Sequence, residues 1–356
     1  MASTAKPGGA PTITDVARRA GVSIKTVSRV MNQEPGVHEQ TRALVQGVIA
    51  ELKYRPKLSA RSLAGARSFL IGLLYYDPSA AFVAGVQQGA TLRCREAGYH
   101  LVVESLHNDA ADLDQQVDRM VWALRPDGVI LTPPLCDNPA VLQALQANRT
   151  PCVLLSPGNE ADGMASVSMD DARAAGEITN LLIGLGHERI AFVKGAPDQA
   201  ASGLRYQGYQ RALRTHKIAL DKELVVPGNF TYASGVEAAH RLLSLHQRPS
   251  AVFASNDDMA LGVLAAAQKL GLAVPRDLSI AGFDDIAAAS LVWPPLTTVR
   301  QPKDEMARVA VDMLIAARRG EPEPPARVHR VLPHELVVRE STSAPLRGMR
   351  PKGRPV

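Results

Sequence analysis

The stretch ITDVARRAGVSIKTVSRVMN, residues 13–32, decides the fold of the first part of the chain. Thr12 and Asp15 are spaced as a capping box, Gly21 breaks the first helix and Ser23 can cap the next, so two short helices and a tight turn are expected. Val16, Ala17, Ala20, Val22, Val27 and Val30 supply the apolar contacts that pack the pair, leaving Ile24, Lys25, Thr26, Ser28 and Arg29 with parts facing outward. Basic and hydroxyl side chains on the outer face of a second short helix are the design of a helix-turn-helix that enters the DNA major groove. A third helix over 39–52, with Leu44, Val45, Val48, Ile49 and Leu52 at helical spacing, closes a three-helix head. Gly47 inside it is unfavourable by about 1 kcal/mol relative to Ala, which the packing must offset.

Charge is unevenly placed along the 356 residues. Residues 1–67 hold eleven Lys/Arg against four Asp/Glu, residues 341–356 hold four Lys/Arg and no acid, and the stretch between is net −6 although the chain is net +5. A basic head on a mildly acidic body fits contact between the head and a phosphate backbone. The length implies two or three domains. No apolar run reaches the ~18 residues of a membrane helix, and MASTAKPGGAPT lacks the apolar segment of a signal peptide, so a cytoplasmic protein is expected. Cys94, Cys136 and Cys152 are too widely spaced for a disulfide framework or a zinc site and read as inert thiols.

Beyond the head, Pro56 interrupts the third helix and YRPKLSARSLAGARS, residues 54–68, forms a linker with helical tendency from Leu58 to Leu63. From Phe69 short apolar runs alternate with helical patterns: FLIGLL, HLVVES, GVILTP and PCVLLS in one series, then RIAFVKG, ELVVPG, SAVFASN and LSIAGFDD in a second that begins near Asp170. Alternating βα units mean parallel sheets covered by helices on both faces, and two series mean two similar lobes. WPPLTTVRQP, residues 293–302, is expected to return the chain to the first lobe, where Asp304–Arg319 would be a helix. A last strand near Glu335–Val338 would rejoin the second lobe, and STSAPLRGMRPKGRPV has the composition of a disordered tail.

Together these segments resemble the lactose-repressor (LacI/GalR) family of transcription regulators. ITDVARRAGVSIKTVSRVMN resembles that family's head, ARSLAG its hinge helix, and LGHERIAFVKG, SNDDMALG, SIAGFDD and PPLTTVRQ landmarks of its sensor core in the same order, over Thr12 to about Glu340. The resemblance implies an α/β protein: a small all-α helix-turn-helix head joined to a two-lobed, doubly wound parallel-sheet core of the periplasmic-binding-protein type. The expected domains are a DNA-binding head over 12–55, a linker and hinge helix over 56–67, a core over 68–340, and a disordered basic tail over 341–356. Within the core the first lobe would take about 68–168 and 300–325, and the second about 169–299 and 326–340. The family further implies a homodimer on a palindromic double-stranded operator, released by a small sugar-like effector held between the lobes, with no membrane partner and no cofactor.

Carried over residue by residue, the resemblance puts Ile24, Lys25 and Arg29 at base-reading positions and Ser23, Thr26 and Asn32 near the DNA backbone. The chemistry agrees: Arg29 can pair bidentately with guanine, Lys25 can donate to guanine O6 or N7, and Ile24 can touch a thymine methyl. His38 departs from the helix-capping serine usual in the family, with phosphate as its expected contact. Leu63 matches the hinge leucine that wedges into the minor groove and kinks the duplex. In the core, Asp170, Arg205, Phe230, Asn256, Asp284 and Gln301 fall on effector-contact positions. Carboxylates, amides and an arginine around an aromatic face suit a polyhydroxyl ligand. Asp257, Asp258 and Asp285 read as helix caps or lobe salt bridges. The loop YYDPSAAFV departs from the family pattern, so the ligand is not named by the sequence.

Two other classes share parts of this pattern. A secreted sugar binder has no use for the basic head, and a nucleotide-dependent enzyme would show a G-x-G-x-x-G, P-loop, nucleophile elbow or metal-spaced His cluster, none of which occurs. No catalytic or metal-ligating residues are therefore assigned. The final sixteen residues hold one leucine among Pro, Gly, Ser and Arg, so a C-terminal tetramerising coiled coil is not expected.

Overall fold

The computed structural model describes residues 11–31, 35–54, 67–76, 80–107, 111–158, 164–319 and 328–346. It divides into two units, one up to Phe69 and one from Leu70 onward. Asn32, the hinge helix and Leu63 lie outside the described residues.

The head unit holds α1 (Ile13–Ala20), α2 (Ile24–Met31) and α3 (Glu39–Glu51). The capping box is present: Thr12 Oγ1 accepts from the Asp15 N–H and Asp15 Oδ2 accepts from the Thr12 N–H at 2.9 Å. Gly21 ends α1 at φ 66°, a left-handed conformation that glycine adopts without a Cβ penalty. Val16, Val27 and Val45 are fully buried and, with Val30, Val48 and Tyr54, make the small core that the three helices share.

The second unit is two-lobed. The first lobe alternates β1 (Leu70–Tyr75), α4 (Ala80–Glu96), β2 (His100–Ser105), α5 (Leu113–Leu124), β3 (Gly128–Leu131), α6 (Pro139–Ala147), β4 (Cys152–Leu155) and β5 (Ala165–Ser168). The chain then enters the second lobe with α7 (Asp171–Gly184), β6 (Ile190–Val193), α8 (Ala200–Thr215), β7 (Val225–Val226), α9 (Tyr232–Leu243), β8 (Ala251–Ala254), α10 (Asp257–Lys269), β9 (Ser279–Ala281), α11 (Ala287–Leu291) and β10 (Thr298–Arg300). It returns to the first lobe as α12 (Lys303–Arg319) and β11 (His329–Val331), then crosses once more to β12 (Glu335–Val337). The first sheet has the order β11-β5-β4-β3-β1-β2 and the second β7-β6-β8-β9, all pairs parallel. A bridge from Ala281 to Thr297 adds β10 beside β9, and β12 pairs antiparallel with β10. Central strands such as β3, β6 and β8 are buried on both faces, which is why they read as continuous apolar runs.

Three expectations change. β5 was not foreseen, because Ala165-Ser166-Val167-Ser168 offers no apolar run. Residues 326–340 do not all belong to the second lobe: His329–Val331 pair with Ser166–Ser168 in the first sheet, and the chain joins the second lobe after them, through β12 and Arg339. The expected tail over 341–356 is ordered at its start. Ser341 is fully buried, its carbonyl accepts from Ile280 N–H at 2.9 Å, and its hydroxyl donates to Ile280 O at 2.6 Å. His187, between Ser250 and Ser279, also reaches the Ser343 carbonyl at 2.9 Å from Nε2.

α12 seats on α4 by close backbone approach. A Cβ at Gly89 would stand 2.2 Å from Asp304 O, which glycine alone avoids. Gly89→Ala should therefore force the two helices apart and lower stability by about 1–3 kcal/mol, read from the urea midpoint of the core. A midpoint unchanged from the parent would show that the helices yield freely.

Candidate functional site

On α2 the 3.6-residue period buries Val27 and Val30 and turns Ile24, Lys25 and Arg29 outward. Ile24 is 48% exposed, so it is not part of the head's core. Ser23 Oγ accepts from the Thr26 N–H at 3.1 Å and lies 2.9 Å from Thr26 Oγ1, so both hydroxyls also serve as the start of the helix. His38 occupies the N-cap of α3 without any side-chain capping bond and is exposed. Its helix start lacks the cap that serine or threonine would give, and the ring stays on the surface.

In the core, loops at the carboxyl ends of parallel strands meet between the lobes, the usual ligand position of such sheets. The cleft encloses about 450 Å³, its open mouth included. Five of the six expected effector residues line it: Arg205, Phe230, Asn256, Asp284 and Gln301. Asp170 does not. It is exposed and its carboxylate accepts from the Arg173 N–H at 2.8 Å, capping α7, while the next residue, Asp171, is buried and lines the cleft. The correction is one residue in MDDA: the cap and the cleft acid are adjacent, and the sequence alone does not say which carboxylate turns inward.

Arg205 is the centre of this wall. Only 5% exposed, it donates from Nε to Asp171 Oδ1 at 2.8 Å and from Nη1 to Ser255 O at 2.6 Å, and Nη1 stands 3.8 Å from Asp284 Oδ1. Its guanidinium carbon lies 3.8 Å from the Phe283 ring centroid and 5.8 Å from that of Phe230. Asn256 caps α10 through Oδ1, which accepts from Met259 N–H, and donates from Nδ2 to Phe230 O. Gln301 Nε2 donates to Asp284 Oδ1. Burial pushes the Asp284 carboxyl up, with Arg205, Lys303 and Gln301 opposing. Asp257, behind it, is pushed well up by burial and by the Asp284 charge, while accepting from Thr298 Oγ1 at 2.6 Å and Ile286 N–H at 2.9 Å. Asp285 turns outward to ion pairs with Arg300 and Arg339, at 2.7 and 2.6 Å.

The first lobe contributes Phe82, Pro133 and Ser156. Phe82 falls in the loop YYDPSAAFV that the sequence singled out without naming a contact residue, whereas no motif pointed to Pro133 or Ser156. Ser156 stands at φ 47° and its buried Oγ has no hydrogen-bond partner, a combination that costs stability unless another molecule supplies the partner. Among the described residues no group of three or more His, Cys, Asp or Glu side chains converges as a metal site requires.

This arrangement agrees with comparisons to known proteins. Residues 12–57 match "Bacterial regulatory proteins, lacI family" and residues 179–342 match "Periplasmic binding protein-like domain". The ribose operon repressor of Escherichia coli (strain K12) is 36% identical over 85% of this chain and 92% of its own length. A cellobiose complex of the transcriptional regulator CelR is similar at 33% identity and TM-score 0.71, covering 93% of this chain and 99% of that one. The lac repressor dimer bound to operator and the anti-inducer ONPF matches at 29% identity and TM-score 0.79, covering 94% of this chain and 100% of that one. With a head and a cleft of this build and such identity over most of its length, the chain belongs to the LacI family of bacterial regulatory proteins, DNA-binding transcription regulators rather than enzymes.

Proposed function

We propose that this protein is a cytoplasmic, homodimeric repressor of carbohydrate-utilisation genes that leaves a palindromic operator when a neutral sugar-like effector fills the cleft between its lobes. The observation that carries the reading is the buried Arg205 held between Asp171 and Asp284 beside Phe230, because neutral hydroxyls need such paired donors and acceptors and a sugar's C–H face needs a ring. Ser156 Oγ has no hydrogen-bond partner among the described residues, so a ligand finds an open hydroxyl on the first lobe facing the same cleft as Arg205. The similar proteins named for ribose and cellobiose support the same class of ligand. Leu291 and Trp293, 83% and 76% exposed, add an apolar patch to the second lobe that a second copy of the chain would cover.

Ile24, Lys25 and Arg29 are proposed to read base edges, with Ser23, Thr26, Asn32 and His38 at phosphates and Leu63 as the minor-groove wedge. The hinge around Leu63 is too short to be a stable helix alone, so it should order only when two copies pack over DNA. Effector and operator then oppose each other reciprocally, with a coupling of about 1–3 kcal/mol.

Arg29→Ala should cost about 1–3 kcal/mol on the operator and relax specificity at one base pair, measured by fluorescence anisotropy on single-base variants. Equal losses on operator and random DNA would remove its base-reading role. For the effector, a thermal-shift screen of sugars, sugar acids and purines identifies the ligand, and anisotropy with that ligand should show operator release. Tighter operator binding would instead mean corepression. Arg205→Lys keeps a cation but not the fork that spans Asp171 and the Ser255 carbonyl, so it should hold operator with or without that ligand. A normal ligand response in this variant would take Arg205 out of the site.

A further inference from the structure

Asp284 sits at φ 122°, a conformation few side chains adopt, and it persists because its surroundings hold it. Its N–H donates to Val299 O at 2.8 Å and its carboxylate accepts from Gln301, both partners lying on the crossing segment itself. A third tie has another origin. Lys303 Nζ donates to the Asp284 carbonyl at 2.6 Å. Lys303 is the first residue of α12, whose helix belongs to the first lobe, and its aliphatic stem runs across Gly85 of α4. A Cβ at Gly85 would stand 3.2 Å from Lys303 Cβ and 3.3 Å from its Cε, so the stem lies in the space that glycine leaves.

We infer that Lys303 is a positioning residue of the cleft, an ammonium delivered from the first-lobe helix α12 that fixes the strained turn aiming Asp284 of the second lobe. The inference rests on the proposed effector role of the cleft. An ionised donor makes a stronger hydrogen bond to a carbonyl than a neutral one. Its stem lies on α4 and its head on the turn after β9, so the seating of α12 on α4 sets where Asp284 points. A ligand that redirects Asp284 pulls on the same helix in return.

Amide hydrogen exchange on the full-length protein tests this without any ligand. The N–H groups of Asp284 and Ile286 are bonded to Val299 O and Asp257 Oδ2. In Lys303→Met they should exchange about tenfold faster while β6 and β8 keep their rates, and Lys303→Arg should stay near the parent. Gly85→Val, which displaces the stem without removing the ammonium, should reproduce the Lys303→Met pattern. Unchanged exchange at 284–286 in both variants, or faster exchange spread evenly over the second lobe, would overturn the inference. Calorimetry with D-ribose and cellobiose as probes adds a second readout: whichever binds the parent should bind Lys303→Met about tenfold more weakly, and equal affinity would count against the role. Binding of neither probe to the parent would weaken the effector reading of the cleft, while the exchange pattern would still decide for or against Lys303.

Discussion

A guanidinium taken out of water has to be matched on its own terms, and the second lobe is organised around one. Arg205 reaches Asp171 at the start of α7, Ser255 after β8 and Asp284 after β9, so a single side chain ties the crossover that leaves β5 of the first sheet to two βα connections of the second. Phe283 lies under its face. Breaking a buried pair of this kind leaves an uncompensated charge and typically costs about 3–5 kcal/mol. The polar wall of the cleft is therefore built before a ligand arrives, which keeps the ordering cost of binding low.

Around that centre the backbone departs from ordinary geometry where ligand contact is expected. Ser156, Phe230, Asp284 and Asp285 all have positive φ. Asp284 and Asp285 show how such residues are kept in place: neighbouring carboxylates turn to opposite sides, one toward Arg205 and Gln301, the other toward Arg300 and Arg339. The outward pairs are partly exposed and contribute little each, yet together they brace the turn from behind. Asp257 completes the brace by accepting from both Ile286 and Thr298, joining the turn to the crossing strand β10.

Periodicity carried much of this architecture into the sequence. The head was legible because its caps and buried valines are local signals, and the lobes because strands buried on both faces read as apolar runs. The losses are of one kind. Asp170 and Asp171 differ by one position, and only the start of α7 decides which carboxylate caps and which faces the cleft. β5 and β11 are short and partly polar, so their pairing is set by neighbours far along the chain. Ser156 carries no motif, and its significance lies in a missing partner, which only coordinates display. The seam formed by Ser341 was hidden by a composition that reads as tail.

The way β11, α12 and Ser341 close the core bears on how the protein is made. The head's core runs only from Val16 to Tyr54 and is complete once Tyr54 has left the ribosome. Neither lobe enjoys that independence: the first sheet waits for His329–Val331, and Ile280 waits for Ser341, 61 residues later. Contacts of high sequence separation form slowly and leave sheet edges open meanwhile. During synthesis a DNA-reading head thus exists well before the sensor that governs it, and a chain stopped early carries a reader with no means of being told to let go.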